Sequence, residues 1–219
     1  MRGWLALALG LAATAAAAAV NANPPATTGA GAAAQVVLPH DGDDYSALVA
    51  RAAAGDKSVD FRALRMTYLK SAARKRTGNL FAKRKALFSA VEAHDDTAAR
   101  DAAIAVLSAD YTDLAGQKLL RQSCQNLGDS ACAEQSHFVE FGLLTSITQS
   151  GDGKTCKTGW EVVSIAEEFF ILAMQGASLR EQALVQNCDR MDVVDGSGNP
   201  AVYYFRIDAE MEDEENMFK

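Results

Sequence analysis

Four cysteines carry the clearest chemistry in this 219-residue chain, and four cysteines allow three disulfide pairings. Cys124 and Cys132 lie on either side of Gly128, which predicts that they face each other across a tight turn between two helices. The other two then pair, Cys156 with Cys188. Since no Cys-x-x-Cys occurs and no histidine lies at a ligand spacing, disulfides are favoured over a metal or redox site.

A glycine-rich run has the residue types of a nucleotide site but the wrong spacing. The segment from Gly151 to Thr155 is similar to a phosphate-binding loop, yet Thr148 stands where its first glycine is required. Such a loop also needs a strand before it and a helix after it, which is the reverse of the order expected here. We interpret the segment as a turn that joins a helix to a sheet.

The acid–base candidates are a pair of glutamates and three histidines, His40, His94 and His137. Glu134 and Glu140 lie one turn from His137, as an ordinary helix surface produces, and no Gly-x-Ser-x-Gly or His-Glu-x-x-His motif occurs. Glu167 and Glu168 are adjacent in a predicted strand, so they point to opposite faces and do not flank one glycosidic bond. We interpret them as a solvated turn or a charged strand edge. The sequence predicts no catalytic residue, metal ligand or cofactor.

A basic stretch is the best remaining functional candidate. Between Phe61 and Val91 the chain has nine basic residues and no acidic one, although its net charge is −7. That overall charge argues against a general binder of nucleic acid or anionic membranes. Two interpretations are open: a surface that binds an anionic glycan, a lipid headgroup or an acidic envelope protein, and a solvated face balanced by the acidic C-terminus. The solvated face is favoured, since runs of like charge are usually solvated. The candidate interaction patch, called the basic patch below, consists of Lys75, Arg76, Lys83, Arg84 and Lys85.

The N-terminus predicts export. Arg2 is followed by an apolar run from Leu5 to Val20 and a small-residue exit at Ala22, the order of a secretory signal peptide. A membrane helix is disfavoured because alanine dominates the second half and no stop-transfer charges follow. Cleavage after residue 22 changes the net charge from −7 to −8 and leaves no stable membrane insertion. We expect a periplasmic or secreted protein with a flexible leader over residues 23–42.

Helical spacing of apolar residues follows over residues 43–149. Capping residues predict helices that begin at Asp43 or Asp44, Asp60, Asn79 and Asp129, and further helices cover 97–109 and 114–127. Asp96 and Asp129 begin comparable helices 33 residues apart, a period close to that of tetratricopeptide-like helix pairs. Because three or more repeats are normally needed for a stable stack, a plain bundle of helical hairpins is favoured.

Residues 150–211 have the composition of strands. Four strands are predicted, at 160–165, 169–174, 183–194 and 201–207, and the segment 195–200 has the composition of a hairpin turn. The predicted class is α+β: antiparallel helical hairpins, loosely tetratricopeptide-like, followed by a small antiparallel β-meander that forms one compact unit with them. Residues 212–219 form an acidic tail.

Six segments carry a family resemblance: 45–52, 55–65, 141–147, 150–153, 162–169 and 202–207. Their order resembles a bacterial domain-of-unknown-function family, number 4919. After Tyr68 that family tends to have aromatic residues and proline near a serine, whereas here Ser71 precedes a run of alanine and basic residues. The resemblance implies an exported bacterial protein with helices before a small sheet, and it implies no activity.

Three functions are compatible with these features. The favoured one is a non-catalytic interaction protein of the cell envelope. The alternatives are a hydrolase with a site at the helix–sheet junction and a small-ligand binder that uses a groove between the sheet and the helices. A cleft rich in titratable groups would favour an enzyme, whereas a smooth charged surface would favour an interaction protein.

Overall fold

The computed structural model describes residues 35–76, 78–209 and 211. The predicted signal peptide, most of the leader and the acidic tail at 212–219 lie outside these residues. The described part has the α+β class that the sequence predicts, and none of its helices is long and apolar enough to cross a membrane. Its elements are α1 Asp44–Ala53, α2 Phe61–Lys70, α3 Ala72–Lys75, α4 Leu80–Glu92, α5 Asp96–Leu107, α6 Leu114–Asn126, α7 Ser130–Thr148, β1 Trp160–Glu161, α8 Ile165–Met174, β2 Ser178–Val185, β3 Cys188–Val194 and β4 Pro200–Arg206.

Side-chain caps begin the helices where the sequence predicts them. Asp43, Asp60, Asn79 and Asp129 each accept a hydrogen bond from the backbone N–H three residues further on, which satisfies a donor that has no partner within the helix. The cap of α5 is Asp95, one residue before the predicted Asp96, because the Asp95 carboxylate accepts from Ala98 N at 2.9 Å.

Consecutive helices pack against one another from α4 to α7, and two apolar clusters form the core. The smaller cluster joins α4, α5, α6 and α7 through buried residues such as Leu87, Leu107, Leu120 and Ala133. The larger joins α1, α2, α7 and α8 to the sheet through Val49, Leu64, Leu143, Ile171 and Phe205. The tetratricopeptide-like pairing of helices stays a prediction.

The sheet is mixed, not purely antiparallel as expected. Its strand order is β1-β4-β3-β2, in which β2–β3 and β3–β4 pair antiparallel and β1 pairs parallel with β4. Parallel pairing is possible because a helix and two strands separate β1 from β4 along the chain. The predicted hairpin turn between β3 and β4 is confirmed, since Gly198 N donates to Asp195 O at 2.9 Å.

The predicted strand at 169–174 is wrong, because these residues belong to α8. Ser164 caps α8 and accepts from Glu167 N, and a serine followed three residues later by glutamate is the sequence signature of a helix start. The following run is apolar almost throughout, so periodicity alone does not separate a buried strand from a helix. Glu167 and Glu168 are consequently buried in the first turn of α8, not placed on a solvated turn or strand edge.

Both predicted cysteine pairs are present as disulfides. Cys124 and Cys132 join the end of α6 to the start of α7, with a Cα–Cα distance of 5.9 Å. Cys156 and Cys188 join the turn before β1 to β3, with a Cα–Cα distance of 5.6 Å. The turn between the first pair contains Gly128 at φ +76°, a conformation that glycine adopts without strain.

Candidate functional site

A groove of about 540 Å³ opens between α4, α6 and α8. Each helix contributes residues at helical spacing, so one face of each helix lines the groove. Phe88 of α4 and Phe169 of α8 remain 46% and 44% exposed there, which leaves large apolar side chains open to a ligand. The apolar walls are formed by Leu80, Phe88, Leu114, Ala115, Leu119, Ala166, Phe169, Phe170 and Ala173.

Arg84 crosses the polar part of the groove from α4. Its Nε donates to Asp113 Oδ2 at 2.5 Å, and its guanidinium lies 3.8 Å from Asp110 Oδ2. Asp113 is also the cap of α6, because its Oδ1 accepts from Gly116 N at 2.6 Å. Both oxygens of Asp113 are thus engaged by the protein itself, and the Arg84–Asp113 pair holds α4 to the start of α6.

Asp110 is the most perturbed acid of the groove. Its side chain is buried, and Oδ1 accepts from Thr112 N at 2.9 Å and from Thr112 Oγ1 at 2.6 Å. Burial, together with the negative charge of Asp113, raises the pKa of Asp110 to about 7, against the opposing effect of these hydrogen bonds and Arg84. A carboxyl group with this pKa can donate or accept a proton near neutral pH.

Lys118 supplies a positive charge on the apolar wall. Its ammonium lies 5.7 Å from the centre of the Phe170 ring and 3.8 Å from the thioether sulfur of Met174. Across residues 35–76 and 78–209, no carboxylate lies within ion-pair distance of it. The contact with the ring therefore holds the ammonium beside the groove without neutralising it.

Glu167 also lines the groove, but its negative charge is neutralised by a buried arginine of α2. Arg65 of α2 is fully buried and donates through Nε and Nη2 to the two Glu167 oxygens, at 2.8 and 2.7 Å. Arg65 Nη2 also donates to Glu161 O at 2.7 Å, and Val163 N donates to Glu167 at 2.9 Å. This cluster joins α2, β1 and α8, and it leaves the Glu167 carboxylate neutralised.

The residues of the basic patch occupy different surroundings. Lys75, Arg76 and Lys85 are exposed and Lys83 is partly exposed, whereas Arg84 lines the groove. Arg76 forms an ion pair with Asp41 at 2.7 Å, and Arg84 pairs with Asp113. Three lysines of the patch are therefore left without a carboxylate partner in the described part of the chain.

The other sequence candidates lie away from the groove. His137 is exposed on α7 beside Phe141, and Glu140 is buried and paired with Arg121 at 2.6 Å. The glycine-rich run forms a turn in which Asp152 N donates to Thr158 O at 2.8 Å.

Sequence reasoning missed Asp110, Asp113 and Lys118 because the groove needs three helices, of which α8 was predicted in part as a strand. One signal was present in the sequence. Arg84 lies four residues after Leu80 and four before Phe88, so a charge falls on the apolar face of α4.

Comparison with protein-family models places the chain in one family. The model of a domain of unknown function, DUF4919, matches residues 44–216, and the chain belongs to this family. The resemblance inferred from the sequence segments is thereby confirmed. No curated protein and no solved structure matches the chain.

Proposed function

We propose that this chain is an exported, non-catalytic binding protein that holds a small, largely apolar molecule in the groove between α4, α6 and α8. The observation that carries the proposal is the groove itself, because its volume of about 540 Å³ lies in the range of small-molecule sites. Its apolar walls and few convergent polar groups have the usual composition of such sites.

Binding is favoured over hydrolysis because most charged groups of the groove are already engaged. Asp113 caps α6 and binds Arg84, and Glu167 is held by Arg65. A hydrolase would depend on Asp110 as its base, and the hydroxyl hydrogen-bonded to that carboxyl is the buried Thr112. The remaining polar groups are better suited to orienting a ligand than to attacking one.

The ligand experiment uses Nile red, an uncharged fluorophore whose emission rises in apolar surroundings. We expect saturable binding to the purified mature protein. Ala173→Trp, on the α8 side of the groove, should fill part of the site. We expect it to weaken binding at least about tenfold, because the dye would lose an apolar contact area at least as large as that of one buried side chain. Ala86→Trp, on the exposed surface of α4 outside the groove, is the matched control and should bind as the parent does. Absence of binding, or equal binding by both variants, contradicts the proposal.

Export is supported by the order of residues in the predicted signal peptide and by the two disulfides, which are typical of oxidising compartments. We expect N-terminal sequencing of the periplasmic fraction to give a chain that begins after Ala22. An unprocessed chain in the cytoplasmic fraction would contradict export while leaving the groove proposal untouched.

A second candidate function is binding of an anionic glycan by Lys75, Lys83 and Lys85. It is favoured by the lack of carboxylate partners for these lysines in the described part of the chain. Replacing the three by glutamine should lower the salt concentration that elutes the protein from heparin, because exposed charges are screened by salt. The control replaces Lys57, Lys154 and Lys157 by glutamine, which changes the net charge equally. Equal elution of the two triple variants rejects the basic patch as a specific surface.

A further inference from the structure

We propose that the ligand of the groove is an amphipathic monoanion, an apolar body that ends in a carboxylate, and that Lys118 binds the carboxylate. This inference rests on the proposed function and names the chemical class of its ligand. It follows from the charges that line the groove and from which of them the protein neutralises.

The negative charges of the groove are largely matched by the protein itself. Asp113 is bound by Arg84, and Glu167 is bound through both oxygens by the buried Arg65. Neither carboxylate is left to attract a cationic ligand, and the Arg84 guanidinium between Asp110 and Asp113 would repel one.

Asp110 adds little negative charge below neutral pH, because burial and Asp113 raise its pKa to about 7. The titratable and charged groups that face it are Arg84 from α4, Asp113 from its own turn, and Tyr45 and Tyr68 from α1 and α2. Both tyrosines have pKa values raised by burial, so they stay neutral and contribute no negative charge. Below the pKa of Asp110, this end of the groove therefore carries little unmatched negative charge, since Arg84 binds Asp113.

Besides Arg84, two cations line the groove, Arg74 from α3 and Lys118 from α6. Lys118 is the one that lies on the apolar wall, with no carboxylate within ion-pair distance among the described residues. Its ammonium lies beside Phe170 and Met174, and these neighbours exclude part of its water without offering a negative charge. An ion pair formed in such surroundings is stronger than one in open solvent. A lysine ammonium is a compact single charge, so it is suited to a monoanionic carboxylate. A dianionic phosphate is bound better by the two parallel donors of an arginine guanidinium.

The experiment compares three ligands with the same ten-carbon chain and different heads: decanoate, decanol and decyltrimethylammonium. Isothermal titration calorimetry at pH 6 should give a dissociation constant for decanoate at least about tenfold below that of decanol, the factor expected for a bond to a charged group. Decyltrimethylammonium should bind more weakly than decanol.

Variants assign the effect to Lys118. Lys118→Met keeps an unbranched chain beside Phe170 and should weaken decanoate about tenfold while leaving decanol unchanged, whereas Lys118→Arg should retain the preference. Lys157→Met removes an exposed charge that does not line the groove and belongs to neither candidate site, so it should change neither dissociation constant.

The outcomes separate the two proposals. Equal binding of decanoate and decanol by the parent protein, tighter binding of the cation, or an unchanged preference in Lys118→Met overturns the anion inference but leaves a groove that binds apolar molecules. Failure of all three ligands and of Nile red overturns the proposed function as well. The comparison of heads on the parent protein needs no variant, so the inference remains falsifiable even where a variant does not fold.

Discussion

Removing Arg65 should destabilise the protein far more than removing Arg62, although both arginines belong to α2 and both form two hydrogen bonds to a glutamate. Arg65 binds Glu167 at 2.8 and 2.7 Å, and Arg62 binds Glu161 at 2.6 and 2.8 Å. They differ in burial, because the Arg65 side chain is fully buried and that of Arg62 is 57% exposed.

The expected magnitudes follow from that difference. Arg65→Met leaves the Glu167 carboxylate buried without its counter-ion and also removes the bond to Glu161 O, so we expect a loss of about 3–5 kcal/mol in the free energy of unfolding. Arg62→Met leaves Glu161 partly solvated and should cost about 0–1 kcal/mol. Urea unfolding followed by far-ultraviolet circular dichroism measures both.

A double variant tests the cause. Replacing Glu167 by glutamine in the Arg65→Met background removes the stranded charge, so the double variant should be more stable than the sum of the single losses predicts, by about 0.5–3 kcal/mol. Losses for Arg65→Met and Arg62→Met that agree within about 1 kcal/mol would refute the reasoning. Strict additivity of the Arg65 and Glu167 losses would also refute it.

Three further predictions follow from named contacts. Gly142→Ala should cost about 1–3 kcal/mol in urea unfolding, because a Cβ there would overlap the Phe61 ring, and Phe61→Leu in the same chain should recover part of the loss. Carboxyl-carbon NMR should give Asp110 a pKa of about 7. Between pH 4 and pH 7 the folded state then holds a proton on Asp110 that the unfolded state has lost, so the free energy of unfolding should fall with rising pH. The fall should be larger in the parent than in Asp110→Asn. Replacing Cys156 and Cys188 by serine should lower the free energy of unfolding by about 3.5–4 kcal/mol, and replacing Cys124 and Cys132 should lower it by about 2.5 kcal/mol. The difference is expected because a disulfide that closes a longer loop restricts the unfolded chain more. Equal losses in thermal unfolding would contradict that explanation.

Local signals explain why the helical part of the fold was predictable. Each of the caps Asp43, Asp60, Asn79 and Asp129 bonds a backbone N–H only three residues away, so the information lies within a short stretch of sequence. The cysteine pairing was predictable for a similar reason, because the tight turn at Gly128 brings Cys124 and Cys132 together.

The failures have two causes: strand pairing between residues distant in sequence, and a helix whose apolar pattern resembles that of a buried strand. The parallel pairing of β1 with β4 depends on residues such as Trp160 and Phe205, which are far apart along the chain. One side of α8 packs against the core and another lines the groove, so apolar residues occur on both sides of the helix. Its sequence therefore lacks the polar face that identifies an amphipathic helix. Serine at 164 followed by glutamate at 167, the sequence signature of a helix start, was the signal that distinguishes this helix from a strand.

The candidate site was less predictable than the fold because the order of charged residues along the chain does not show which of them are buried and which face solvent. Arg84 was grouped with Lys83 and Lys85 as one patch, but successive residues of a helix point in different directions. The apolar spacing of α4 turns Arg84 inward to Asp113 and leaves its neighbours toward solvent. A basic run on an amphipathic helix therefore has to be divided by face before it is treated as one surface.

The segments that carry the family resemblance build the frame of the molecule, and one of them, 162–169, also lines the groove. Arg65 from one of them bonds to Glu167 from another and to Ser146 from a third, at 3.2 Å for the serine, so a single buried guanidinium joins α2, α7 and α8. Arg84 and Lys118, which set the charge of the groove, lie outside those segments. The residues that set the charge of the groove are therefore not among those on which the resemblance rests, and membership of the family does not identify the ligand.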